Sequence, residues 1–299
     1  MKWLEDFLSP AETGNFTRSA QARYLTQPAL SRRIRALEHW TGVSLIDRSS
    51  HPIRLSPAGE LFRGQAVTLL EQLHETRALM RRQRDSSSDQ IRFALPHNLS
   101  LSFFPKWLTQ VHREFGAFPC QMAAGNGQDA LVNFVEGNCD FLICYQHPCK
   151  QIDLHPAHYP YIRLGEDDIR PYTRCSQLRV PQFNLLGTAS ASTPLLNYTP
   201  EAYLRRVVDS ILEGTQQELF LKPFYETAMA EGLKNMVLEG HGVAFLPAST
   251  VAKDMRSGQL MPLGDSKLGT QLEIRLYRDA RSTSAKLGPH WNFLQEAYR

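Results

Sequence analysis

The chain opens with apolar residues at Trp3, Leu4, Phe7 and Leu8, the spacing of one helical face, and the pattern fades near Gly14. Thr17 reads as the cap of a second helix, with Ala20, Ala22, Tyr24 and Leu25 on and near its inner face. Thr26-Gln27-Pro28 is a turn, and Pro28 suits the first turn of a third helix that runs to about Trp40, before Gly42. In that helix Ala29, Leu30, Ile34 and Leu37 form one apolar stripe; Gln27, Ser31, Arg32 and Arg35 fall largely opposite. Val43, Leu45 and Ile46, and then Ile53-Arg54-Leu55, are short strand patterns on either side of a Ser-Ser-His-Pro turn. The prediction is three short helices and a two-stranded wing.

A longer period follows. Ser56 caps and Pro57 starts a helix that contains no Gly or Pro from Gln65 to about Ser86. Phe62, Ala66, Leu69, Leu73, Thr76 and Met80 alternate steps of four and three, an a/d seam on a rod of roughly 45 Å. A rod with one apolar stripe is marginal alone, so the pattern predicts pairing with a second copy. The alternative is packing against its own chain. Arg81 to Asp89 then reads as a polar hinge.

Beyond Gln90 strands alternate with helices, which implies a mainly parallel sheet flanked by helices. Ile91–Leu95 is a strand, Pro96–Ser100 a loop entering a helix that ends near Phe115. Gln121–Ala124 is a second strand, Gly125–Asp129 its loop, Ala130–Glu136 a helix, and Phe141–Tyr145 an apolar strand. Pro194–Pro200 precedes a helix over Glu201–Leu212; Thr227-Ala228-Met229 starts another reaching Glu239, and Gly240–Pro247 is a glycine turn into a strand. Ligands in such sheets lie at the carboxyl ends of strands. His97, Asn98, Ser100, Asn126 and Gln128 occupy those loops, and their backbone N–H groups and neutral side chains suit a small polar or anionic ligand.

Composition narrows the class. At 299 residues and 42% hydrophobic, the chain has room for two or three domains with real cores. No run of about 18 apolar residues is present, and the N-terminus has no signal-peptide pattern. Five scattered cysteines without a CxxC pair fit a reducing compartment, so the expected location is the cytoplasm. Net charge is +3, and the segment through Gln90 carries all of that excess. Between Phe16 and Leu55 seven arginines face only Glu38 and Asp47. A basic block on an otherwise balanced chain points to a polyanion. Arg suits guanine, Gln adenine, and Ser a phosphate or base; Arg48 and Arg54 on the wing suit the sugar-phosphate backbone. Double-stranded DNA is the partner this layout fits.

The residues Asn15–Ala20, Thr26–Glu38, Gly42–Arg48 and Leu55–Gly59 together resemble the signature of LysR-type transcriptional regulators. Lys2-Trp3-Leu4, Pro194–Tyr198 and Arg256–Leu260 are similar to the hypochlorite-responsive members of that family. The resemblance implies a winged helix-turn-helix over residues 1–56, a dimerising linker helix and hinge over 57–89, and an effector-binding domain over 90–299. That last domain is expected to be a two-lobed, periplasmic-binding-protein-like α/β fold. Lobe I would take about 90–163 and 268–299, and lobe II about 164–267. DNA contacts would come from Thr17, Arg18, Gln27, Pro28, Ser31, Arg32, Arg35, Arg48 and Arg54. An interlobe effector cleft would be lined by His97, Asn98, Ser100, Ser102, Asn126, Gln128, Asn197, Tyr198 and Thr227. The expected partners are a promoter, a small-molecule effector and further copies of the chain as a dimer or tetramer, with RNA polymerase a further candidate.

Competing chemistry finds little footing. His155 and His158 with His147 and Cys149 lack regular ligand spacing, so no metal is expected. There is no GxSxG, P-loop or HExxH, and Gly125-Asn126-Gly127 is too short for a dinucleotide fingerprint, so neither cofactor nor catalysis is expected. Two alternatives stay open. One is a switch by oxidation of methionines, which sit mostly at core-like spacings; the other is a solute-binding or enzymatic α/β domain with an accessory helical module.

Overall fold

The computed structural model describes residues 1–48, 52–84, 89–152, 154–188 and 190–299. Residues 49–51 of the wing turn and 85–88 of the polar hinge lie outside the described residues. The chain divides into two compact units, Met1–Met80 and Arg81–Arg299.

The first unit contains α1 (Lys2–Thr13), α2 (Phe16–Ala22) and α3 (Gln27–Thr41), then the strands β1 (Ile46–Asp47) and β2 (Arg54–Leu55). α1 and α3 each end on a left-handed glycine, Gly14 at φ 63° and Gly42 at φ 73°, where a side chain would strain the turn. The cap of α2 is Asn15 rather than Thr17: Asn15 Oδ1 accepts from the Thr17 and Arg18 backbone N–H groups at 2.9 and 3.1 Å. Thr17 lies inside the helix instead, because asparagine two residues earlier satisfies the free N–H groups. Phe7, Ala20, Leu30, Ile34, Leu37, Leu45 and Ile46 form the core of this unit. Tyr24 does not join them. It is 97% exposed and holds φ 53° in the turn between α2 and α3.

β1 and β2 pair antiparallel, Ile46 opposite Leu55, as a wing. α4 (Pro57–Arg84) then leaves the wing, with Ser56 Oγ accepting from the Gly59 N–H at 3.0 Å. A Cβ at Gly59 would stand 2.0 Å from the Leu45 carbonyl oxygen, so this residue lets helix and wing close together. Phe62 packs edge-on against Phe7 at 5.1 Å between centroids, and Ala66 is fully buried. These two residues therefore leave the expected intermolecular seam, because the first turns of α4 are already covered within their own unit. Leu69, Leu73 and Met80 stay 46, 45 and 68% exposed.

The second unit begins with β3 (Ile91–Pro96), α5 (His97–Ser102) and α6 (Phe104–Phe115). What reads in the sequence as a loop and one helix is thus two helices broken at Phe103, and His97, Asn98 and Ser100 are helical. β4 (Cys120–Gly125), α7 (Gly127–Val135) and β5 (Phe141–Gln146) complete a parallel trio in the order β5-β3-β4. β3 shows why the sheet is covered on both faces. Ile91, Phe93 and Leu95 join one core with Trp107 and Val111 of α6, while Ala94 points to the other with Ala130 and Phe134 of α7.

β6 (Tyr161–Arg174) is a 14-residue strand that both lobes share. After it come β7 (Thr193–Tyr198), α8 (Tyr203–Gly214), β8 (Leu221–Thr227), α9 (Ala230–Leu238), β9 (Ala244–Pro247), α10 (Ala248–Arg256) and β10 (Leu260–Pro262). Thr227 ends a strand instead of opening a helix, since α9 starts at Ala230. β11 (Thr270–Arg278) and α11 (Leu287–Ala297) return to the first lobe. β11 runs antiparallel to both β5 and β6, while β9 and β10 pair with the distal half of β6. β7 and β8 pair in parallel as a separate ribbon, joined to Val243 through a bridge at Leu195. This is a two-lobed α/β sensor.

Candidate functional site

The first unit presents a polar surface built on α3. Leu30, Ile34 and Leu37 are buried, and the same helix turns Gln27, Pro28, Arg32 and Arg35 out to solvent, with Ser31 half-buried. Arg18 and Thr17 are exposed on α2, and Arg54 on the wing. Among the described residues Arg18, Arg32, Arg35 and Arg54 have no carboxylate partner, so their charge is available to a polyanion. Arg48 differs: its Nη2 lies 2.7 Å from Glu38 Oε2. Glu38 also accepts from the Leu45 and Ile46 N–H groups at 2.9 and 3.1 Å, and these bonds hold its carboxyl below its ordinary pKa against the opposing effect of burial. Arg48 thus clamps α3 to the wing.

The angle between α2 and α3 is set by a buried carboxylate. Asp6, 1% exposed, accepts from Arg23 Nε at 3.0 Å and Arg33 Nη1 at 2.7 Å. With Arg48, three of the block's seven arginines are therefore spent on architecture, which their sequence spacing does not reveal. Tyr24 is the surface residue the sequence reading missed. Its hydroxyl, at the helix-turn-helix corner, suits a phosphate oxygen; the signal was a large polar-tipped residue immediately before the turn.

In the second unit Pro96 and Gly125 are register partners on adjacent parallel strands, so α5 and α7 start side by side. Asn126 caps α7, accepting from the Asp129 N–H at 2.8 Å. Asp129 itself stands in the first turn of α7 and already offsets the positive end of that helix. An anion is therefore not favoured there, contrary to the sequence expectation, and a neutral polar ligand fits better. Gln128 is exposed beside it. Across from α7 lies α8: a Cβ on Gly127 would come 3.7 Å from Tyr203 Cβ.

Ser100 and Ser102 are committed internally. Ser100 Oγ donates to the His97 carbonyl and Ser102 Oγ to the Asn98 carbonyl, each at 2.7 Å. Both hydroxyls therefore lose the free donor role expected of them, since a helical serine bonds back to its own turn. Asn197 is likewise turned inward, its Oδ1 accepting from the Tyr198 N–H at 2.8 Å. Tyr198 and Thr227 are register partners at the ends of β7 and β8, and Thr227 Oγ1 meets the Met229 N–H at 3.4 Å. Of these expected effector residues two have a buried polar atom without a partner, Asn98 Nδ2 and the Tyr198 hydroxyl, as do several other side chains among the described residues. His97 is exposed.

Between these groups lies a buried chain of hydrogen bonds absent from the sequence reading. Asp167, on β6 and 6% exposed, accepts from the Tyr145 hydroxyl at 2.6 Å and from Ser249 N–H and Oγ at 3.0 and 2.5 Å. Ser249 Oγ lies 3.0 Å from Ser102 Oγ on α5. One carboxylate thus links a strand of the first lobe to the start of α10 in the second. Burial raises the Asp167 pKa despite these donors, and burial followed by the Asp167 charge drives the Tyr145 pKa well up. Asp167 interrupts a strand as one of several acids, Glu166-Asp167-Asp168, which reads in sequence as solvent-facing.

No helix among the described residues is long and apolar enough to cross a membrane. No group of three or more His, Cys, Asp or Glu among them is placed to hold a metal; the His155 and His158 rings lie tilted at 5.0 Å between centroids. The methionines are less buried than their spacing implied, with Met122 and Met229 at 42 and 41% exposed.

A winged helix-turn-helix, a long helix and a two-lobed sensor define a ligand-controlled DNA-binding protein. Residues 1–60 match the bacterial regulatory helix-turn-helix protein, lysR family, and residues 84–299 match the LysR substrate binding domain. The chain belongs to the LysR family of transcriptional regulators. It is similar to the HTH-type transcriptional regulator YjiE of Escherichia coli K12, 32% identical over 295 residues covering 99% of this chain and 94% of YjiE. Full-length HypT from Salmonella typhimurium, a hypochlorite-specific LysR-type regulator, is 30% identical with a TM-score of 0.61, covering 99% of this chain and 98% of HypT. DarR of Vibrio fischeri in complex with DNA is 31% identical with a TM-score of 0.58, covering 98% of this chain and 97% of DarR. The protein is a DNA-binding transcriptional regulator with an effector-binding domain, and not an enzyme.

The Asp167 network carries a pH signature. An acid whose folded-state pKa is raised holds its proton in the folded protein where the unfolded chain has already lost it. Stability from this group therefore falls as pH rises from the ordinary carboxylate value of 3.8 through the raised one. Urea unfolding of Asp167→Asn beside wild type should show a stability difference that changes with pH only across that window. A difference independent of pH would rule out a titrating Asp167.

Proposed function

We propose that α3 reads the major groove through Gln27, Pro28, Ser31, Arg32 and Arg35, while Thr17, Arg18, Tyr24 and Arg54 hold the sugar-phosphate backbone and Arg48 holds the wing in place, with the regulator working in the cytoplasm. The observation that carries this is the set of exposed, unpaired arginines on one helix whose opposite face is the domain core. Each bidentate base contact contributes about 1–3 kcal/mol of discrimination, so Arg32→Ala or Arg35→Ala should weaken operator binding and relax one position of the site. Arg54→Ala should weaken all DNA alike and lower the salt slope by about one. Binding titrations on operator and scrambled duplexes at several salt concentrations separate the two; unchanged specificity in both α3 variants would remove the assignment.

Dimerisation through α4 begins, in this reading, at Leu69 and continues through Leu73, Thr76 and Met80, all exposed on their own unit. Charge at the centre of that seam is costly. Leu69→Asp combined with Leu73→Asp should lower the mass seen by light scattering, and an unchanged mass would place the seam elsewhere.

The effector reading rests on Asn98 Nδ2 and the Tyr198 hydroxyl, two buried polar atoms in want of a partner. A small polar molecule in the interlobe cleft supplies one, with His97, Asn126, Gln128 and Thr227 at its margin and Ser100, Ser102 and Asn197 shaping its walls. Removing an unsatisfied buried hydroxyl is neutral or stabilising. Tyr198→Phe should therefore keep or raise the melting temperature of the free protein while losing its response to metabolites that shift the wild type. A variant that melts earlier and still responds would contradict this.

A second reading is supported by Met122 and Met229, both exposed, and by the likeness to a hypochlorite-specific regulator. Oxidation to sulfoxide would turn these apolar contacts polar. Operator binding that responds to hypochlorite in Tyr198→Phe but not after Met122 and Met229 are replaced by leucine would favour the oxidant as signal.

A further inference from the structure

The second lobe carries a groove that none of the effector residues lines. Its volume is about 1230 Å³, and it lies between the loop Cys175–Gln182, the end of α9 and the end of α10. Arg174, Arg179 and Arg256 line it against a single carboxylate, Glu239. Elsewhere in this unit Arg92, Arg163, Arg205, Arg275 and Arg281 are paired with Asp or Glu, while Arg113, Arg170, Arg206, Arg278 and Arg299 each lack a carboxylate partner among the described residues. Arg174 and Arg179 have no such partner among the described residues, and Arg256 donates only to the Ala252 carbonyl of its own helix.

The loop is a formed structure. Cys175 bridges to Pro181, the Arg179 N–H donates to the Ser176 carbonyl at 2.9 Å, and the Cys175 thiol donates to the Gly258 carbonyl at 2.9 Å. Within it Arg179 holds φ 57°, a left-handed conformation that disfavours any side chain larger than glycine. Arginine stands at this corner against local preference, and such strained positions cluster at functional sites. The charge does not come from helix N-termini. Both α9 and α10 end at this groove, so their dipoles oppose an anion and the guanidinium groups must supply the attraction.

We propose that this groove is a second ligand site, selective for a molecule that carries a polyphosphate group. Planar guanidinium forks match phosphate oxygens bidentately, and three of them against one carboxylate call for a ligand with at least two adjacent negative charges. The groove is far larger than a single phosphate needs, and Gln177, Gln259 and Ser257 add neutral donors and acceptors along it. A nucleotide and an inorganic polyphosphate share the required chemistry. The Arg256–Leu260 segment, conspicuous in the sequence but without a role in DNA or effector binding, thereby acquires one.

Calorimetric titration of the full chain with sodium triphosphate and separately with ATP tests the assignment. Both should bind, and Arg174→Gln combined with Arg179→Gln should weaken each at least about tenfold, since charge-assisted bonds to two guanidinium groups are lost. Because α3 also attracts polyanions, Arg32→Gln with Arg35→Gln serves as the control and should leave triphosphate affinity unchanged. Tighter binding of ATP would identify a nucleotide, and equal affinity an inorganic polyphosphate. The four substituted residues are exposed, and a thermal melt checks that the fold is intact. The proposal fails if neither ligand binds below about 1 mM, if the loss follows the α3 substitutions, or if citrate binds as tightly as triphosphate.

Discussion

The sensor depends on one strand that cannot belong to a single lobe. β6 lies against β11 along its first part and against β9 and β10 along its second, so one strand is hydrogen-bonded into both lobes, with a bulge at Leu164 where the register against β11 shifts. A bulge of this kind bends the strand and increases its local twist. Asp167 sits within that strand, and its carboxylate is the place where the first lobe, through Tyr145, and the second, through Ser249, meet. Burying a carboxyl is unfavourable unless donors surround it. Three donors from two elements do so here, and they lose alignment if the lobes turn apart. The cost of opening is thereby concentrated at one residue.

How much of this was legible in the sequence varied with the range of the forces involved. The helix-turn-helix was readable because its determinants are local: Pro28 and Gly42 mark the ends of α3, and Leu30, Ile34 and Leu37 set its inner face over a few residues. The same locality explains the wing and the start of α4 at Ser56. Errors arose where a neighbour distant in sequence decided. Phe62 and Ala66 continue the apolar period of Leu69 and Leu73, yet the first turns of α4 are buried with Phe7 in the same unit, a contact 55 residues apart that no period reveals.

The sensor residues show a different kind of limit. Ser100, Asn126, Tyr198 and Thr227 were found as polar positions at strand or helix ends, and the structure does put them there. Their chemistry depends on what each hydrogen bond is spent on. Ser100 bonds back to His97, Asn126 caps α7, and of the residues expected to meet an effector the Asn98 amide and the Tyr198 hydroxyl are the ones left wanting a partner among the described residues. A sequence lists donors and acceptors, whereas a site consists of those that remain after the fold has used the rest. The arginines follow the same rule, with Arg23 and Arg33 used by Asp6 and Arg48 by Glu38, so Arg18, Arg32, Arg35 and Arg54 carry the free positive charge of the block.

That accounting bears on how α4 acts on the DNA-reading surface. Within the first unit, α4 is fixed to the wing where Gly59 meets the Leu45 carbonyl, and to α1 where Phe62 meets Phe7. α1 is fixed to α3 through Asp6 and Arg33, and α3 to the wing through Glu38 and Arg48. These four contacts close a loop, so the base of α4 and the reading helix move as one body. Packed and hydrogen-bonded elements of this kind transmit a rotation instead of absorbing it. A change in how two copies of α4 pair would then alter the separation of two α3 helices while leaving the surface of each unchanged. On the proposed reading, regulation would act on the spacing between half-sites and leave the surface of each α3 as it is.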